Sequence, residues 1–132
     1  MTIEYNTNLR NDRMNEVSSS IDAVGIGKIR MYSGTRPSFG GASGVLLVEL
    51  EMSAVSFAPA VIGVITANPI TPITAISNGS ATWFRIVNGA GNPVLEGSVG
   101  ANGSGADLEL STVVFSIGLY VVISTLSITE GN

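Results

Sequence analysis

Neither cysteine nor histidine occurs among the 132 residues of this chain. Without cysteine there is no disulfide framework and no thiolate metal site, and the sequence carries no mark of its redox compartment. The lack of histidine as well removes Ser-His-Asp and Cys-His nucleophilic catalysis, together with every zinc site built on imidazole or thiolate. Charge is scarce too, at 12% of residues and a net −4, against about 25% charged residues in ordinary globular chains. Lys28 is the single lysine. A phosphate backbone is held by clustered Lys and Arg, so no nucleic-acid partner is expected for so acidic a chain.

Long hydrophobic runs are also missing. The longest uncharged, largely apolar stretch, Thr112 to Ile128, is interrupted by Gly118 and falls short of the roughly 20 residues a membrane helix needs. No membrane partner is expected. The first twenty residues carry Glu4, Asp12 and Glu16 and no apolar core, so they do not read as a secretory signal.

What is abundant is apolar side chain and glycine, with hydrophobic residues at 45% and 16 glycines. A chain of this length forms one domain that removes about two-thirds of its unfolded surface from water. With so little charge to cover the outside, part of the exterior is expected to be buried against other chains. The charge that exists is uneven. Residues 1–36 hold Arg10, Arg13, Lys28, Arg30 and Arg36 against four carboxylates, and the rest holds only Arg85 against six.

The clearest local signal lies between Ser80 and Gly100. Ala81, Trp83, Arg85 and Val87 alternate with Thr82, Phe84 and Ile86, a strand pattern. Asn88 to Asn92 supplies residues that tolerate positive φ, and Pro93 opens a second extended run, Val94 to Val99. The stretch predicts a β-hairpin with one face in a core. Of the adjacent Trp83 and Phe84, which point in opposite directions, one must be buried; Trp83 reads as core and not as a sugar-stacking platform.

Taken in order, residues 1–7 read as an arm that orders on a partner. From Asn8 to Val24 the period changes to that of a helix, with Leu9, Arg13, Val17, Ile21 and Val24 on one stripe, Asn8 as N-cap and Gly25 as the terminating residue. The Ser18-Ser19-Ser20 run has poor helix propensity, so the helix needs something to pack on. The chain therefore divides into an arm and helix, 1–27, and a β domain, 28–132. Lys28 to Ser33 and Val45 to Met52 are strands; between them lies a glycine-rich loop, Gly34 to Gly44, which lacks the Gly-Lys-Ser/Thr ending of a phosphate cradle and presents Arg36 and Phe39. Ser53 to Ala67 predicts a short strand on each side of a turn, and Pro69 and Pro72 place the following segment at an edge or in a crossing loop. Asp107 to Ser111, Val113 to Ile117 and Leu119 to Ile128 complete eight or nine strands. Their spacing points to a mainly β chain, an antiparallel β-sandwich with a jelly-roll-like order as one possibility among Greek keys.

Candidate chemistry is confined to the carboxylates Glu49, Glu51, Glu96, Asp107 and Glu109. Two of them at glycosidase spacing could cut a glycosidic bond, but all occupy outward positions of alternating strands, where acids keep a sheet face soluble. No calcium-loop spacing accompanies Asp107 and Glu109. No catalytic residue, cofactor or metal is expected. The Asn-x-Ser sequons at Asn78 and Asn102 coincide with Asn-Gly turns and read as turn chemistry.

The block IRMYSGTRPSFGGASGVLLVELEMS, the ATWFR hairpin with its EGSVG return, the DLELST segment and the terminal ISTLSITEGN resemble a family of small virion proteins of tailed bacteriophages, the head decoration or cement proteins. The likeness runs from about Asn8 to the end. It implies a β-sandwich that sits as a homotrimer on the capsid exterior, made in the host cytoplasm, and bridges subunits of the major capsid protein. Under that role the expected contact residues are Leu9, Arg10, Arg13 and Val17 in the N-terminal segment, and the loop from Arg36 to Phe39. The alternative in another class is a tail- or fibre-associated carbohydrate-binding module.

Overall fold

A computed structural model describes residues 3–130. The chain is mainly β with one N-terminal helix, as the sequence predicts. Five strands form the large sheet, in the order β2 (Leu46–Glu51), β1 (Lys28–Tyr32), β6 (Trp83–Val87), β7 (Pro93–Ala101), β8 (Leu108–Leu110). Three two-stranded ladders complete the fold: β3 (Val64–Thr66) with β11 (Ser127–Thr129), β4 (Ile73–Thr74) with β10 (Tyr120–Val121), and β5 (Gly79–Ser80) with β9 (Val114–Phe115). Pairing is antiparallel throughout except between β7 and β8, which run parallel. That pair departs from the all-antiparallel expectation. The 102–107 connection is a turn held by Ser104 N–H on Ala101 O and by Glu109, whose carboxylate accepts from the N–H of Gly103 and Gly105.

The register explains the core. Ile29 lies opposite Leu50 and Ile86, and Met31 opposite Val48 and Phe84, so one face of the sheet is a continuous apolar surface. Each of these side chains is at most 2% exposed, and burying one contributes about 1.5–3 kcal/mol. The face packs in a single cluster with Phe57, Ile65, Phe115, Val121 and Leu126 from the short ladders and their connections. The β6–β7 hairpin forms where the sequence places it. Its turn is organised by Asn88, whose Oδ1 accepts from the N–H of Ala90 and Asn92.

The helix α1 spans Thr7–Asp22, with Asn6 and not Asn8 as its N-cap; Asn6 Oδ1 accepts from Leu9 N–H at 2.8 Å. Its buried side chains are Met14 and Ile21, with Val17 packed against the core, so Val17 and Ile21 of the predicted stripe face inward while its two ends do not. Leu9 and Val24 are exposed, at 41% and 55%. The reason is polar. Asn11 Oδ1 accepts from Gly63 N–H and Asn15 Oδ1 from Ala60 N–H, both at 2.8 Å, and the Asp22 carboxylate accepts from Ser56 N–H at 3.1 and 3.2 Å. These groups satisfy donors along the 56–63 segment that have no sheet partner. Met14 and Ile21 belong to the same cluster as the sheet. The helix thus has the surface to pack on that its sequence requires.

Candidate functional site

The outer face of the large sheet carries a row of four charges across four strands: Glu49, Arg30, Arg85 and Glu96 lie opposite one another in β2, β1, β6 and β7. Each arginine has an outer carboxylate. Arg30 Nε donates to Glu49 at 2.5 Å, with Lys28 Nζ 3.6 Å from the same carboxylate, and Arg85 Nε donates to Glu96 at 2.6 Å. Burial alone would lower the pKa of Arg30, but the hydrogen bond and charge of Glu49 outweigh it and hold the guanidinium above its ordinary value. Beside this row Tyr32 and Trp83 stack with ring centroids 4.4 Å apart, and the Arg85 guanidinium lies 5.1 Å from the Trp83 ring centroid, a cation–π arrangement.

Over this face lies the glycine-rich loop 34–44. Ser33 N–H donates to Val45 O at its base, Arg85 Nη2 donates to Gly41 O at 2.9 Å, and Gly40 N–H donates to Glu96 at 3.1 Å. Gly40 has φ +74, and a Cβ on Gly41 would stand 2.9 Å from Ser38 O, so both positions require glycine. Covered this way, β6 is buried along its whole length. This corrects the expectation that only one hairpin face lies in the core: Trp83 is buried as predicted, at 1% exposure, and Phe84 on the opposite face is buried too, at 2%. Trp83 Nε1 has no hydrogen-bond partner among the described residues, so stacking holds the ring. Trp83 emission should be blue-shifted and unchanged by added mono- and oligosaccharides; a red-shifted, sugar-responsive spectrum would show the ring to be accessible.

The expected contact residues fall into two groups. Arg36 and Phe39 are exposed on the loop, Phe39 at 62%. In the helix only Leu9 projects freely. Arg10 and Arg13 both turn to Glu130, whose side chain is 3% exposed, with Arg10 Nε at 3.4 Å, and Val17 packs against the core. The two arginines therefore tie the helix to Glu130, just after β11. Of the six Lys and Arg side chains, Arg36 alone has no carboxylate partner among the described residues.

Four of the five candidate acids are held in structural bonds, and Glu51 is exposed without a partner among the described residues. Glu49 and Glu96 hold arginines, Glu109 caps the 103–105 turn, and Asp107 accepts from Ser98 N–H and Oγ at 2.9 and 3.0 Å. Among the described residues no group of three or more Asp or Glu is placed to hold a metal ion, and no helix is long and apolar enough to cross a membrane.

One surface went unread in the sequence. Segments 73–80 and 114–121 run antiparallel along their length, through Tyr120 opposite Thr74, Gly118 N–H on Ala75 O, Ile117 N–H on Asn78 Oδ1 and Val114 opposite Ser80. Ile76, Val114, Ile117, Tyr120 and Val122 in and beside this ribbon are 50–69% exposed. The available signal was Tyr120-Val121-Val122-Ile123, whose outward positions are as apolar as its inward ones. No protein-family model, curated protein or solved structure matches this chain.

Proposed function

We propose that the protein is a structural virion component, a decoration or cement protein that binds the outside of a tailed-phage head as a homotrimer and bridges subunits of the major capsid protein. The observation that carries this reading is the apolar ribbon of Ile76, Val114, Ile117, Tyr120 and Val122, five large side chains half or more exposed on one paired element. Large apolar side chains exposed together on one paired element mark a place where another protein sits. A clamp that binds only an assembled lattice stabilises it by mass action and needs no reactive side chain, in keeping with a chain that has no cysteine or histidine. Several copies joined together multiply modest contacts through effective concentration. The alternative of a carbohydrate-binding module has less support, because the one tryptophan is buried under the 34–44 loop.

The test is co-sedimentation of purified protein with expanded heads that lack it. Binding is expected, and the double variant Ile76→Lys/Tyr120→Lys should weaken it roughly tenfold or more, since two apolar contacts are replaced by hydrated charges. A wild-type chain that never travels with heads, or a double variant that binds as well as wild type, would refute the proposal.

A further inference from the structure

We infer that the 34–44 loop of one copy plugs a cleft on a second copy of the same chain, with Phe39 in the cleft and Arg36 on Asp107. The contact deepens the reading above, since it supplies the subunit contact of an assembly. The cleft opens between β7 and β11, has a volume of about 400 Å³, and is lined by Phe84, Leu95, Leu126 and Ile128 with Glu96 and Asp107 also on its wall. That size lies within the range of about 300–1,000 Å³ usual for binding pockets.

Plug and cleft match in polarity and charge. The plug has one large apolar side chain, Phe39 at 62% exposure, and Arg36, the cation without a carboxylate partner. Asp107 is exposed and gives only its Oδ2 to Ser98, leaving Oδ1 without a hydrogen bond among the described residues. Arginine and aromatic side chains are both enriched at protein interfaces. The loop is also preset. Gly40 and Gly41 fix its path, and the Arg85–Glu96 pair holds both of them to the sheet, so little conformational freedom is lost on docking.

The plug and the apolar wall of the cleft lie on opposite sides of the sheet in one copy: the Glu96 side chain ties the loop to the outer face of β7, and although Glu96 also borders the cleft, the wall is made by Leu95 and Phe84, which face the other side. The contact is therefore head to tail, and such contacts close into rings when the rotation permits.

Sedimentation equilibrium of the full chain, without heads, tests this directly. Wild type should self-associate, and Phe39→Ala and Arg36→Asp should each weaken association roughly tenfold or more. Asp107→Asn keeps an acceptor for Ser98 while removing the charge, and should weaken association as well. Mixing Arg36→Asp, which keeps a sound cleft, with Asp107→Asn, which keeps a sound plug, should give complexes that neither variant forms alone. A wild type that stays monomeric at millimolar concentration, variants that associate like wild type, or a mixture that forms no complex would each overturn the contact. Because no head is present, that failure would leave the particle-binding reading standing, and loss of head binding would leave this contact standing.

Discussion

Arg85→Ala is expected to destabilise the fold by roughly 3–5 kcal/mol, the usual cost of removing one partner from a buried ion pair. The side chains of Arg85 and Glu96 are 8% and 4% exposed and meet at 2.6 Å. Without the guanidinium, the Glu96 carboxylate stays buried with Gly40 N–H as its remaining donor. The cation over Trp83 and the bond to Gly41 O disappear with it, which frees the 34–44 loop and opens the outer face of β6 to water. Chemical denaturation gives the magnitude, and limited proteolysis within residues 34–44 should accelerate in parallel. The double variant Arg85→Met/Glu96→Leu removes both charges and should lose much less, because no buried charge is left behind. A loss under about 1 kcal/mol for Arg85→Ala, small for a broken buried pair, would mean that water reaches this pair and that the loop is not latched by it.

Deleting residues 1–24 should abolish cooperative folding. Met14 and Ile21 leave the core with the helix, and each such truncation to alanine alone costs about 2–5 kcal/mol. Ile21 is fully buried, and its Cγ2 lies 2.3 Å from where a Cβ on Gly27 would stand, so it seats directly on the backbone at the start of β1. The deletion also strips the N–H groups of Ser56, Ala60 and Gly63 of their acceptors. A lost partner costs about 1–3 kcal/mol where water cannot replace it. Against a total stability of about 5–15 kcal/mol, these losses are sufficient to unfold the domain. Loss of near-UV circular dichroism and a red-shifted Trp83 emission would register the effect. A truncated chain with native spectra would show the β domain to be independent of the helix.

This second result separates two kinds of information in residues 1–24. The helical period was legible, and so was the need for a surface to pack on. Which side packs was legible only in part, because the inward face is set by Asn11, Asn15 and Asp22 as much as by Met14 and Ile21. Polar side chains of that kind read as solvent-facing until the unpaired donors of the 56–63 segment are known to lie opposite. The pairing of Arg10 and Arg13 with Glu130 was illegible for the same reason, and Arg13 keeps 46% of its side chain exposed while making it.

The sequence by itself determined the alternation of β1, β2 and β6, the β6–β7 turn at Asn88, and the exclusion of chemistry that depends on histidine or cysteine. These follow from side-chain direction and turn conformation, which are properties of a few neighbouring residues. Only the tertiary structure decided what covers each face. The 34–44 loop folding over Trp83 and Arg85, the helix anchored at residues 56–63, and segments 73–80 joined to 114–121 all depend on partners far away in the chain. Local pattern says which side chains turn away from one another; burial is decided by whichever distant segment arrives on each side.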